Sequence, residues 1–267
     1  MKIGITGHEG DAGSGLVRLF KLTESIVNPV RVNIDFHFDR IIHTAAMHPV
    51  HDVKSILDSN IIYLQQIIDY SIRLGVKEFV FFSSTSVYKD DMENLNEDSD
   101  LRNDDVYSVT KIIGEELIYK SGLNGLSIRI PGLLEFQKSY CLMSKWFDLL
   151  LKNMPVEISN PDKLFNGYIS IEEIFTFINS FKAFDFFDTV NLATLKSITV
   201  KDTVEIIKRN LNSSSEIIIK NAIYNTNFRS YCIDKAITLY GFKPEEPENV
   251  INRWCTNRKE LYESCNS

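Results

Sequence analysis

Short apolar runs alternate with helical patterns through the first half of the chain, and this alternation constrains the fold most. The runs are "KIGIT", "IIHTAA", "EFVFFSS" and "LSIRI". A strand with one face in water alternates polar and apolar residues. Near-continuous apolar runs instead mark strands buried on both faces, as in a parallel sheet covered by helices. Between the runs lie "SGLVRLFKLT", a helix from Asp52 to its stop at Gly75, and a helix from about Asp105 to Ser121, stopped at Gly122. The Asp52–Gly75 helix carries Val53, Ile56, Leu57, Ile61, Leu64, Ile67, Ile68 and Ile72 on one stripe. Residues 89–103 read as a polar, acidic loop.

After Gly132 the alternation loosens. "SKWFDLLLKN" predicts a helix, "YISIEEIFTFINSFKAF" a strand and helix, "DTVNLA" a strand and "TVKDTVEIIKRNL" a helix, while "CIDKAITLYGF" and "ENVINRWC" are mixed. This predicts a smaller lobe over one end of the sheet. The expected division is 1–131 plus 165–194 for a dinucleotide-binding domain, and 132–164 plus 195–267 for a substrate-binding lobe. A chain of 267 residues has room for both.

Charge excludes some partners. Lys plus Arg total 29 against 36 Asp plus Glu, a net −7 that disfavours a nucleic-acid binder. Cys141, Cys232, Cys255 and Cys265 are scattered, so neither disulfides nor a zinc site are expected, and a reducing cytoplasm fits. The start runs straight into a strand pattern, so no signal peptide is expected. No apolar run reaches the roughly 18 residues of a membrane-spanning helix. His43, His48 and His51 are close in sequence, but Pro49 breaks helical spacing, and a loop without metal is expected.

Four features carry chemistry. Gly7, Gly10 and Gly13 form G-x-x-G-x-x-G between a strand and a helix. Such a turn brings backbone close to a pyrophosphate and aims a helix N-terminus at it; an ordinary glycine-rich turn is the alternative. His8, Glu9 and Asp11 in this loop suit a phosphate only if the acids point away. Ser83, Ser84, Thr85 and Ser86 end a strand where open parallel sheets bind ligands, or form a plain polar turn. Asn60 interrupts an apolar stripe, so its amide must be satisfied, either structurally or as the start of a water chain. Tyr107 and Lys111, four apart, share a helix face. An ammonium beside a phenol lowers its pKa toward acid–base use, although the spacing also occurs on solvated helix faces.

Taken in order, these features resemble the short-chain dehydrogenase/reductase superfamily. The closer resemblance is to its extended branch, the NAD-dependent epimerase/dehydratase family that modifies nucleotide sugars. "ITGHEGDAG", "IIHTAA", "NEDSDLRNDDVYSVTK", "IRIPG", "YISIEEI" and "CIDKAITLYGFKP" each match a family segment in place. The resemblance implies a Rossmann-like doubly wound parallel sheet with a small C-terminal α/β substrate lobe. It implies NAD or NADP bound by Gly7, Gly10, Gly13, Asp35, Ala45, Ala46, Tyr107, Lys111 and Pro131. It implies a sugar held by Ser84, Thr85 and Ser86, with Tyr107 as acid/base, Lys111 on the nicotinamide ribose and lowering the tyrosine's pKa, and Asn60 supporting a relay or the active-site helix. A homodimer through the helices of Asn60 and Tyr107 is implied by the same analogy.

Three departures sharpen this expectation. The stretch from Leu22 to Ile41 is too short for two strands and two crossovers, since one crossover with its helix takes at least about 10–12 residues. Only "VRVNID" fits, so the adenosine side is shortened. Asp35 would bond the ribose, and Arg31 or Arg40 could accept an NADP phosphate. Thr85 and Ser86 stand where dehydratases carry an acid pair, which disfavours dehydration. All histidines lie at or before residue 51, which disfavours a 3,5-epimerase. The expected activity is NAD(P)-dependent epimerisation or reduction of a nucleotide-activated sugar; the alternative is a non-catalytic dinucleotide sensor on the same fold.

Overall fold

The computed structural model describes residues 1–21, 37–48, 50–89, 94–102, 104–137, 141–181, 185–220 and 228–266. Strands β1 (Ile3–Thr6), β2 (Arg40–His43), β3 (Glu78–Ser84), β4 (Gly125–Ile130) and β9 (Phe187–Asn191) form the central sheet. Its order is β1-β2-β3-β4-β9, and every pairing is parallel. Asp35 and Arg31, and the strand expected from "VRVNID", lie outside the described residues.

Side chains alternate across the sheet, and helices cover both faces. Ile42, Val80, Phe82, Ile128 and Val190 point toward α1 (Asp11–Phe20) and α6 (Ile171–Ser180), meeting Leu16, Ile174 and Phe177. Ile41, Phe79 and Phe81 point the other way, onto Leu64, Ile67 and Ile68 of α3 (Tyr63–Arg73) and Ile118 of α4 (Val106–Ser121). The apolar runs therefore have the burial expected of a covered parallel sheet. Helix α4 has the expected bounds: Asp105 caps it by accepting from the Tyr107 and Ser108 amides, and Gly122 ends it in the left-handed region.

The helix expected from Asp52 to Gly75 differs in two ways. It comprises α2 (Val53–Leu57), one π-helical turn (Asp58–Ile62) and α3. The extra residue of the π turn rotates the face on either side of it. Ile56, Leu64, Ile67 and Ile68 are buried, while Val53, Leu57, Ile62 and Ile72 are exposed. The stripe is thus wider than the face the core covers.

A second core lies at the carboxyl end of the sheet. Strand β5 (Gly132–Leu134) leads into α5 (Leu142–Leu151), β6 (Val156–Ser159) and β7 (Leu164–Phe165); β5 pairs with β8 (Tyr168–Ser170). Further along come β10 (Ile198–Thr199), α7 (Val200–Leu211), β11 (Ile217–Lys220), α8 (Asp234–Tyr240) and α9 (Pro247–Asn266). Trp146, Phe147, Leu150, Phe165, Val204, Ile207, Ile251 and Trp254 pack together here. One segment departs from the expected division. Ile233, Ala236, Tyr240 and Phe242 pack into the core beneath the sheet, because Tyr240 and Lys235 bond Asp188 of β9.

Candidate active site

The glycine turn is shaped by close backbone approach. Gly7 has φ of +73°, and a Cβ there would stand 2.6 Å from the Ala45 backbone; one on Gly13 would stand 2.2 Å from the Gly7 carbonyl oxygen. Gly10 caps α1 without a side-chain hydrogen bond, leaving the first amides of the helix to another acceptor. Glu9 is exposed and turned to His8. These features fit a pyrophosphate. Ala45 follows β2 with its backbone packed against Gly7. Arg40 does not lie near them. It starts β2, at the opposite end of the strand, where its guanidinium bonds Glu78 and the carbonyls of Ile178 and Phe181. A 2′-phosphate at the carboxyl end is out of its reach.

Ser84, Tyr107 and Lys111 converge at the carboxyl end of β3. Helix α4 comes close there because residue 114 is glycine: a Cβ would stand 2.7 Å from Cζ of Phe81. Ser108 Oγ donates to the Ser86 carbonyl at 2.9 Å and to Ser86 Oγ at 3.0 Å, tying the first turn of α4 to the strand end. Ser84 Oγ accepts from the Ser86 amide at 3.1 Å. Two turns further, Glu115 takes a bidentate hydrogen bond from Arg129 of β4 at 3.0 and 2.7 Å. These ties fix the register of the helix against the sheet.

Lys111 is 3% exposed, and its Nζ donates to the Phe82 carbonyl at 2.7 Å. Burial lowers its pKa to about 8, with the Glu115 charge opposing. Nζ lies 5.8 Å from the centre of the Tyr107 ring. The expected lowering of the tyrosine is not met in this state. Burial pushes Tyr107 up to about 12, a hydrogen-bonding interaction with the Ser84 side chain pulls it down, and the Asp105 charge adds to the rise. Desolvation exceeds an ammonium whose hydrogen bond is spent on a strand carbonyl.

Asn60 is satisfied within the protein. Its Oδ1 accepts from the Met47 amide at 2.7 Å, and its Nδ2 donates to the Met47 carbonyl at 3.2 Å and to Thr110 Oγ1 at 3.0 Å. It clasps the loop after β2 to α4. Glu173 caps α6 with Ser170 and accepts from the Glu245 amide at 3.0 Å, a structural role.

A cavity of about 590 Å³ opens beside the strand end. Ser84, Thr85, Ser86 and Pro131 line it, and Tyr107, outside the lining, adjoins it through its side-chain interaction with Ser84. The opposite wall was not foreseen: Trp146, Phe165, Tyr168 and Phe228 form an apolar side, and Arg102 and Arg229 supply its charged lining. Arg102 holds Asp104 through Nε and Nη2 at 2.6 and 2.9 Å. Arg229, 7% exposed, donates to the Tyr88 carbonyl at 3.2 Å. With no acid in the lining among the described residues, the cavity suits an anion carrying a flat or apolar group. Among the described residues, no group of three His, Cys, Asp or Glu side chains could hold a metal ion, and no helix is long and apolar enough to cross a membrane.

The model of the NAD dependent epimerase/dehydratase family matches residues 28–132, which bears out the resemblance carried by the motifs. No curated protein matches the chain significantly. A UDP-glucuronic acid 4-epimerase from Bacillus cereus, solved with NAD, is 16% identical with a TM-score of 0.81 over 98% of this chain and 100% of that one. A UDP-glucose 4-epimerase from Thermotoga maritima is 17% identical, with a TM-score of 0.77 over 98% of this chain and 100% of its own. A UDP-N-acetylglucosamine 4-epimerase from Methanobrevibacter ruminantium is 18% identical, with a TM-score of 0.81 over 97% of this chain and 98% of its own. At these identities the likeness establishes the fold.

Proposed function

We propose that this protein is an NAD-dependent epimerase of a UDP-activated sugar, acting through Ser84, Tyr107 and Lys111. The observation that carries the reading is the convergence of these three side chains at one strand end, beside a cavity whose charged lining among the described residues is Arg102 and Arg229. The similar structures that bind NAD and UDP-sugars support it. NAD is favoured over NADP because the neighbours hold NAD and Arg40 is committed elsewhere. NAD held there would supply reversible hydride acceptance at the sugar carbon. Ser84 holds the sugar oxygen, and Tyr107 exchanges its proton with that oxygen. Lys111 offers a charged donor on the same helix face, and the Gly7–Gly13 turn receives the pyrophosphate. Arg229 and Arg102 face the UDP diphosphate.

Residues 1–131 with 165–194 would carry the dinucleotide, joined by the 233–242 segment packed beneath the sheet, and the remaining residues, with Phe165 and Tyr168 packed into their core, would carry the sugar nucleotide. A homodimer would cover the exposed Val53, Leu57 and Ile62 together with Ile113 and Tyr119 on the neighbouring α4. Light scattering tests this: Leu57→Glu should yield monomers if that face is the interface.

The reading is tested by incubating the protein with NAD and either UDP-glucose or UDP-glucuronic acid and following the C4 epimer by proton NMR. Conversion that is lost in Tyr107→Phe supports it. NAD binding without conversion of either would favour a sensor, and absence of NAD binding would sink both.

A further inference from the structure

One contact of Tyr107 lies outside the expected site. His48 stacks on the phenol, with ring centres 5.7 Å apart and planes at 23°. Its side chain is partly covered by this stack, partly open to solvent, and belongs to none of the apolar cores. It reaches the tyrosine because Asn60 grips its neighbour Met47 by both amide and carbonyl. The same asparagine bonds Thr110, whose Oγ1 donates to the Tyr107 carbonyl at 2.7 Å. One buried amide thereby fixes Tyr107 from two sides, by its backbone through Thr110 and by its ring through His48. A buried asparagine on an apolar stripe, at a π turn, has a physical reason in this double grip.

We propose that His48 is a positioning residue for Tyr107: a flat imidazole shelf, held by the Asn60 clasp, that fixes the phenol ring for proton transfer and makes that fixation sensitive to pH. This rests on the reading of Tyr107 as the proton-transferring group. The charged and titratable groups around the imidazole are Lys111 of α4, Asp11 at the start of α1, His51 on its own loop and Tyr107 itself. Burial, the Lys111 charge and His51 hold His48 below the ordinary histidine range, while Asp11 opposes them. At neutral pH the shelf is neutral. On acidification it becomes a second cation beside Lys111, and their repulsion loosens the stack.

Two measurements test this. The first needs no substrate. With five histidines in the chain, ring-proton NMR resolves His48, assigned by its loss in His48→Phe. Tyr107→Leu should shift the His48 resonance by removing a ring current, and Lys111→Met should raise its titration midpoint. If neither change moves it, the proposal fails whatever the activity. The second measures turnover of UDP-glucuronic acid or UDP-glucose with NAD. His48→Ala should lower kcat about 10- to 100-fold with little change in KM, the scale of a misplaced reacting group. His48→Phe, which keeps a flat ring, should restore kcat and abolish the acid limb of the pH profile. If His48→Ala leaves kcat and the acid limb intact while Tyr107→Phe abolishes turnover, His48 has no such role and Tyr107 keeps its own. If the wild type converts neither sugar, the functional reading fails and the NMR result alone decides for His48.

Discussion

The two walls of the cavity are built on different principles. The sheet wall, from Ser84 to Ser86 with Tyr107 adjoining, is a set of polar side chains at a strand end, cross-tied to α4 through Ser108, Lys111 and Gly114. The lobe wall is an aromatic surface of Trp146, Phe165, Tyr168 and Phe228, drawn from segments far apart in the chain and held by packing. The first positions reacting groups with hydrogen bonds; the second shapes a space with buried area. Changes on the sheet wall should therefore cost rate more than stability, and changes on the lobe wall should cost stability and substrate affinity together.

The largest expected effect lies on the sheet wall. Tyr107→Phe should lower kcat by about 10²- to 10⁴-fold, the usual contribution of a positioned acid or base, with thermal unfolding nearly unchanged. A matching loss of melting temperature would erase the distinction between the walls. On the lobe side, Trp146 is 4% exposed and stacks near Phe228, so Trp146→Ala should cost about 3–5 kcal/mol in chemical denaturation. Any surviving folded protein should show a raised KM. Between the two stands Gly114→Ala, where a methyl would press on Phe81. It should cost about 1–3 kcal/mol and also slow turnover, because it pushes away the helix that carries Tyr107.

A pH-dependent effect concerns His43, on β2 beneath the sheet wall. Its Nδ1 meets Thr6 Oγ1 at 2.9 Å, and burial, with the Lys111 charge, lowers its pKa to about 3. Between that value and the ordinary 6.5, the unfolded chain binds the proton and the folded chain does not. Stability should thus rise with pH across this window and fall on acidification, by at most about 1.4 kcal/mol per pH unit. Melting curves of wild type and His43→Gln between pH 4 and 7.5 check this; equal slopes would show that His43 does not stay neutral on acidification.

Much of the sheet wall was legible in the sequence. Local rules suffice for it: apolar runs mark covered strands, glycines mark the turn, Asp105 and Gly122 bound α4, and spacing places Tyr107 and Lys111 on one face. The ionisation balance was not legible. The spacing correctly brings Lys111 toward the phenol, but desolvation and the Phe82 carbonyl decide which effect wins, and both depend on packing. The apolar stripe of residues 53–72 likewise read as one face, because nothing in its periodicity marks the π turn at Asn60.

The lobe wall shows the limit more sharply. Trp146 and Phe228 are 82 positions apart, and "SKWFDLLLKN" reads only as a helix with an apolar face. Arg102 sits in an acidic stretch that looks like solvated loop, yet it lines the cavity. The sequence by itself determined the covered parallel sheet, the glycine turn and the Tyr107–Lys111 helix, because each depends on residues within a few positions of one another. Only the tertiary structure decided the aromatic wall, the two arginines, the raised tyrosine and the His48 shelf, because each depends on distant segments meeting and on how much water they exclude.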